Sequence, residues 1–290
     1  MRSTTRSVLL VIALTAVACA GPSCEQPQAP ATEVPATPPS PETEREEEHA
    51  MILTVVFDNN PGPAELKTGW GFGCYVELPQ TTVLFDTGAI GRVLIDNILA
   101  LDLDPEAIDL IVLSHRHGDH VAGLPDVLSL NPDATVCVLE SFPGDIKRAV
   151  SAAGATLVEA EPGQQLAEGV FTTGAIPGPP PEQALVLESA DGLVVITGCA
   201  HPGVDRMVEV ARQQHEGEIE LVFGGFHLTG ASRGRIEQIA RSLQQMGVNR
   251  AGPCHCSGDT ARQVFAELFG DRYVDVHVGT RFELPLPGEQ

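Results

Sequence analysis

The sequence predicts an α/β domain built as a four-layer αββα sandwich, two β-sheets packed face to face with helices over both outer surfaces. Three observations lead there. Short apolar, β-branched runs crowd both halves of the chain, and stretches with a 3.6-residue apolar repeat are interleaved among them. From Met51 onward about 240 residues run without an internal repeat, enough for one large buried core.

Residues 51–57 (MILTVVF) are apolar and β-branched and read as a strand. Residues 72–78 and 81–85 follow as two strands joined by the turn Pro79-Gln80, an antiparallel start. Residues 90–101 place Val93, Leu94, Ile98 and Leu101 on one helical face, and residues 108–113 (IDLIVL) form the next strand. The second half alternates more regularly. Strand 135–139, helix 145–153 and strand 156–159 precede strands at 169–173 and 184–188. Three strand-then-helix units come next: strand 193–197 with helix 204–213, strand 219–223 with helix 236–246, and strand 248–251 with helix 261–269. A strand at 273–276 is expected to close the chain.

The beginning of the chain has a different character. Within residues 1–19, Arg2 and Arg6 precede an apolar stretch over 8–18 that ends in Ala16-Val17-Ala18-Cys19, the pattern of an export signal and too short for a membrane span. It resembles a bacterial lipoprotein processing box, with Ala16 where Leu is commoner, so Cys19 is the expected lipid-attachment point; the alternative is ordinary signal cleavage at the same Ala-x-Ala pattern. Residues 20–50, rich in Pro, Glu, Thr and Ala, cannot bury a core and are expected to be a disordered stalk, leaving residues 51–290 as the folded domain. The expected location is therefore the cell envelope or periplasm, with the membrane engaged only through that lipid anchor.

The formal net charge is −22. From His49 on there are 32 acids and 14 bases, a net of −18, and so acidic a surface repels phosphate backbones and disfavours a nucleic-acid partner. Of the seven cysteines, the domain holds Cys74, Cys137, Cys199, Cys254 and Cys256, an odd number that argues against a full disulfide framework. Cys254 and Cys256 bracket His255 and read either as soft ligands or as small loop-lining residues; the second reading is preferred because His and Asp supply enough ligands elsewhere.

Those ligands begin with Ser114-His115-Arg116-His117-Gly118-Asp119-His120, directly after the strand at 108–113. Three imidazoles and a carboxylate in six positions have no use in a packed core, whereas together they suit zinc, and also iron or manganese. Three more histidines recur in one kind of place. His201, His227 and His255 each follow a predicted strand within a Gly-containing turn, and strand C-termini in layered α/β folds converge on one edge. His49, His215 and His277 lack that setting.

These residues resemble the metallo-β-lactamase-fold metallohydrolase superfamily. Its H-x-H-x-D-H signature is matched by His115, His117, Asp119 and His120, an upstream strand-end Asp by Asp86, and later isolated histidines by His201 and His255. Trp70-Gly71-Phe72, Thr197-Gly198-Cys199-Ala200-His201, Gly224-Gly225-Phe226-His227-Leu228 and Pro253-Cys254-His255-Cys256 are similar to the branch named for dihydropterin ribofuranosyl-aminobenzene phosphate synthase. The resemblance implies one metal held by His115, His117 and His201 and a second held by Asp119, His120 and His255. It also implies that Asp86 accepts a proton from a ligand imidazole. Where many members carry a bridging Asp, this chain has His227, so His227 is either a ligand or marks a weaker second site.

Two divalent ions ~3.5–4 Å apart lower the pKa of a shared water to ~7 and so supply hydroxide at neutral pH. The expected activity is hydrolysis of a small-molecule ester, lactone, amide or phosphoester, with Asp119 orienting the nucleophile and His227 a secondary candidate for leaving-group protonation. A pterin-conjugate synthase and a non-hydrolytic di-metal redox or binding protein are the alternatives. No G-x-S-x-G elbow or Walker-type loop is present to support other hydrolase classes.

Overall fold

The structure is a computed structural model and describes residues 50–288. The expected export signal with Cys19, and the stalk up to residue 49, lie outside the described residues. Among the described residues no helix is long and apolar enough to cross a membrane.

Two sheets form the centre. The first has seven strands, β1 (Ala50–Phe57), β2 (Gly73–Leu78), β3 (Thr81–Phe85), β4 (Leu110–Val112), β5 (Thr135–Val138), β6 (Thr156–Glu159) and β13 (Arg281–Pro285), in the order β13-β1-β2-β3-β4-β5-β6. The second has six, β7 (Gln165–Ala167), β8 (Val170–Thr172), β9 (Leu185–Ser189), β10 (Gly192–Thr197), β11 (Ile219–Gly225) and β12 (Arg250–Cys254), in the order β12-β11-β10-β9-β8-β7. β3 through β6 run parallel, as do β10 through β12, so their C-terminal ends point the same way within each sheet.

The continuous apolar runs arise because these strands are covered on both faces, and period-2 alternation sends neighbouring residues into different cores. Val83, Phe85, Leu110 and Val112 meet Leu185, Leu187, Val194 and Ile196 between the sheets. Leu84 and Ile111 face outward, against α1 (Gly91–Ala100) through Leu94 and Ile98, α3 (Leu124–Leu130) through Val127, and α4 (Gly144–Ala153) through Val150; a short α2 (Gly118–Val121) precedes α3. On the other side Val186, Val195 and Val222 pack under α5 (Val204–Gln214), α6 (Arg233–Gln245) and α7 (Asp259–Phe269) through Met207, Ile239 and Phe265. Three apolar layers between four layers of secondary structure make the expected αββα sandwich.

The chain's end differs from expectation. Tyr273 forms only an isolated bridge with Ala251, and the closing strand is β13, paired antiparallel with β1. Its Phe282 and Leu284 are buried while Arg281, Glu283 and Pro285 are exposed, the one-sided alternation of an edge strand. The short strand β7 and the helices α2 and α3 were likewise not expected.

Candidate metal centre

The tips of β3, β4, β10, β11 and β12 meet at one rim, and every sequence-predicted site residue is found there. Ring centroids lie 4.7 Å apart for His115 and His117, 4.2 Å for His115 and His120, and 4.6 Å for His115 and His201. His120 and His255 are 5.1 Å apart, and His201 and His227 are 4.5 Å apart. Two histidines distant in sequence from the motif, His201 and His255, are thus brought against it.

Each central imidazole is fixed through Nδ1. Asp86, fully buried just past β3, accepts the backbone N–H of Ser114 at 2.7 Å on Oδ1, and on Oδ2 the Ser114 hydroxyl at 2.6 Å and His120 Nδ1 at 2.7 Å. His115 Nδ1 sits 2.9 Å from Ser114 Oγ, whose own proton goes to Asp86, so the ring donates there. His201 Nδ1 donates to Glu182 Oε2 at 2.8 Å, and His255 Nδ1 to Asn59 Oδ1 at 2.9 Å. Asp58 secures that last ring's backbone by accepting the His255 N–H at 3.1 Å. With Nδ1 engaged in all four rings, Nε2 is the remaining ligand atom, and in a neutral ring it is unprotonated, the tautomer that acceptors behind a metal ligand select.

Glu182 is the residue that sequence reasoning missed. Fully buried, it accepts the N–H groups of Cys199 and Ala200 on Oε1 at 2.7 and 2.8 Å, and the His201 N–H on Oε2 at 2.9 Å besides the His201 ring. It lies in a Pro-rich loop between β8 and β9, far from any histidine in sequence, where no spacing marks it. Asn59 and Asp58 were missed for the same reason.

The donor sets can be read from these positions. Ligand atoms of His115, His117 and His201 lie within 4.8 Å of one another, as do those of Asp119, His120, His255 and Cys199. Asp119 Oδ2 is 3.6 Å from His120 Nε2 and 3.4 Å from His255 Nε2, and Cys199 Sγ is 3.2 Å from His120 Nε2. Cys199, not His227, therefore joins the second set. His227 gathers instead with Cys199 and Cys256.

Burial and charge compete across this rim. Burial pushes His115 down to about 2, reinforced by the neighbouring imidazoles, so it is neutral. Burial would also depress His120, but the charge and hydrogen bond of Asp86, with Asp119 and Glu182, outweigh it and raise that group to about 9. Glu182 is held at about 2, against its own burial, by the His201 hydrogen bond and the backbone donors. Asp119 stays well below the ordinary carboxylate range, where burial is overcome by His255 and His120. Glu182 and Asp119 are therefore anionic, and neutral His115 is free to donate a lone pair.

The residues fit a cation. The buried Nε2 atoms of His115 and His255 have no hydrogen-bond partner in the protein, an unfavourable state for a polar atom unless something binds it. Imidazole nitrogens with one carboxylate and one sulfur suit a borderline divalent ion. The mouth is bordered by Trp70, 56% exposed, with its ring 5.0 Å from that of His255. Gly71 beside it carries φ +142°, and a Cβ there would lie 2.2 Å from the Asp119 carbonyl oxygen, so glycine is what lets the Trp70 loop close on the site.

Comparison with known proteins agrees with this architecture. A 7,8-dihydropterin-6-methyl-4-(beta-D-ribofuranosyl)-aminobenzene-5'-phosphate synthase of Methanocaldococcus jannaschii is 25% identical over 242 residues, covering 68% of this chain and 82% of its own. An uncharacterized protein of the same organism is 27% identical over 243 residues, covering 72% of this chain and 91% of its own. A crystal structure described as a metal-dependent hydrolase of the beta-lactamase superfamily superposes with a TM-score of 0.70 at 26% identity, over 81% of this chain and 99% of that one. The family model of the metallo-beta-lactamase superfamily matches residues 74–241, more than half of the sequence, and the chain belongs to that superfamily.

Proposed function

We propose that the domain is a metal-dependent hydrolase of a small molecule bearing an ester, lactone, amide or phosphoester group, and that it takes two divalent ions, zinc first, with iron or manganese as alternatives. One observation carries the reading: four imidazoles converge with Nδ1 engaged by buried polar groups, leaving Nε2 as the ligand atom, beside an anionic Asp119. His115, His117 and His201 would hold one ion, and Asp119, His120 and His255, with Cys199 in reach, the other. When bound, such ions supply Lewis acidity and acidify a coordinated water.

The protein's own groups do the positioning. Glu182, Asp86, Asn59 and Ser114 hold the rings; Asp119, kept ionised, accepts a hydrogen bond from the attacking water and orients it. His227, exposed and near His201, is within the site's reach for leaving-group protonation, and its imidazole is raised above the ordinary value by its hydrogen bond with Cys256. Trp70 offers an aromatic face at the mouth on which a planar or apolar part of the substrate can rest.

A second reading is favoured by the name of the 25%-identical relative, a synthase that builds a pterin conjugate. The basic-then-apolar start of the sequence, read as an export signal, supports hydrolysis over that reaction, because activated pterin precursors are cytoplasmic; the same start supports a lipid anchor at Cys19. The test is metal analysis joined to a substrate panel. Purified protein is expected to carry close to two transition-metal ions per chain, and chelation to abolish hydrolysis of lactones, phosphodiesters, phosphomonoesters or lactams. Iron with a visible absorption band and no turnover across that panel would overturn the proposal in favour of a redox protein.

A further inference from the structure

We propose that Cys199, His227 and Cys256 form a third, thiolate-rich cation site that adjoins the histidine–carboxylate centre and takes a soft or borderline ion such as zinc(II) or copper(I). The three side chains follow the tips of three neighbouring strands, β10, β11 and β12, and their ligand atoms lie within 4.8 Å of one another. Two sulfurs and an imidazole without a carboxylate select a softer cation than the nitrogen and oxygen donors next to them.

The backbone is arranged to bring the sulfurs together. Cys256 Sγ approaches the Cys199 carbonyl oxygen at 3.6 Å. Gly225, at the end of β11, lies between them: a Cβ there would sit 2.3 Å from the Gly198 carbonyl oxygen and 2.8 Å from Cys256 Sγ. Ala200 and His227 adopt left-handed backbone at φ 57° and 51°, and such strain in non-glycine residues concentrates where a side chain must be aimed. Cys199 and Cys256 are buried while His227 is exposed, so a bound ion would have three protein donors and an open position toward solvent, the arrangement of a site that exchanges a ligand.

This site differs from the two sets already described. The His227 ring lies 4.5 Å from that of His201, yet its donor atom groups with the thiols and not with His115, His117 and His201. Cys199 is the one shared residue, within reach of both the Asp119 set and this one. Binding involves no change of oxidation state; the thiol protons pass to solvent as the sulfurs become ligands.

The experiment titrates the full chain, stripped of metal and kept reduced with a phosphine, with cadmium(II). Thiolate-to-cadmium absorption in the ultraviolet is expected, together with a cadmium NMR resonance whose shift reports two sulfur ligands. His227→Ala should weaken the sulfur-bound equivalent ~10-fold or more and leave the nitrogen-bound equivalents unchanged. Cys256→Ser should move the resonance to a one-sulfur shift, and Cys254→Ser, outside the group, should leave it in place. Absence of a two-sulfur resonance from the unmodified chain, or wild-type affinity of the sulfur-bound equivalent in His227→Ala, overturns the proposal. If Cys256→Ser fails to fold, the unmodified chain and the exposed His227 still decide. None of these readouts depends on turnover, so the site stands or falls apart from hydrolysis.

Discussion

Replacing Glu182 with Gln removes one charge and exchanges one acceptor for a donor at a fully buried point that receives four hydrogen bonds. The amide oxygen can still serve one pair of donors, the Cys199 and Ala200 N–H groups, but its NH2 then faces the His201 N–H and Nδ1–H. If both stay unsatisfied, the cost is about 1–3 kcal/mol each, or about 2–6 kcal/mol in all. The imidazole can relieve half of this by moving its proton to Nε2 and accepting the amide through Nδ1. Stability then falls by about 1–3 kcal/mol, and the atom that would face a cation is capped by hydrogen. Either way, affinity at the His115, His117 and His201 set should fall ~10–100-fold. Urea unfolding of the metal-free protein reads the first effect, and competition with a chromophoric chelator reads the second. An unmoved unfolding midpoint together with wild-type affinity would refute the role given to Glu182.

Three further outcomes are expected. Because Glu182 is held at about 2 in the fold against an ordinary 4.5, its contribution, on the order of 3 kcal/mol, is complete above pH 4.5 and lost as pH falls toward 2; His115, lowered to about 2 from 6.5, adds a loss that begins as pH drops below 6.5, and His120, raised to about 9, contributes below 6.5 and is lost as pH rises through 9. The metal-free unfolding midpoint should therefore peak near pH 6.5, and a flat profile from acid to alkali would contradict these environments. Asp119→Ala should slow hydrolysis ~10²-fold or more with the fold retained by circular dichroism, and a fully active variant would remove Asp119 from the chemistry. Gly225→Ala forces a methyl against the Gly198 carbonyl oxygen and should cost about 1–3 kcal/mol in denaturant unfolding; a variant of wild-type stability would mean that the β11 tip can yield.

Much of the architecture was legible because strands buried on both faces announce themselves as unbroken apolar runs, as at Ile111-Val112 and Val194-Val195-Ile196. The histidine motif was legible because its residues share one short loop. Glu182, Asn59 and Cys199 were not: Glu182 lies 19 positions before His201, Asn59 196 before His255, and Cys199 79 after His120, separations that only the packing of the two sheets closes. The edge strand β13 escaped because charged residues at alternate positions make half of it look like loop. Cys256 was read as a small loop-lining residue because histidines and aspartate supplied enough donors, yet the tips of β10 and β12 bring the sulfurs of Cys199 and Cys256 to the rim, and all five domain cysteines are free thiols.

The aiming of the site has a common physical origin. Asp86, Ala200, His227 and His255 follow the tips of β3, β10, β11 and β12, and each takes left-handed backbone, at φ 60°, 57°, 51° and 46°. A non-glycine residue held there costs of order 1–3 kcal/mol, and it persists only where the surroundings over-determine it. Here the surroundings are strands clamped between two apolar layers, so the strand ends cannot relax without opening a core. Each turn swings its side chain, or that of the adjoining residue, across the rim instead of outward, and the buried acceptors then fix the rings through Nδ1. The donor geometry is consequently a property of the sandwich more than of its loops. A cation arriving at the rim meets nitrogen and carboxylate atoms whose orientation was set when the sheets packed, and little of its binding free energy has to be diverted into ordering the protein.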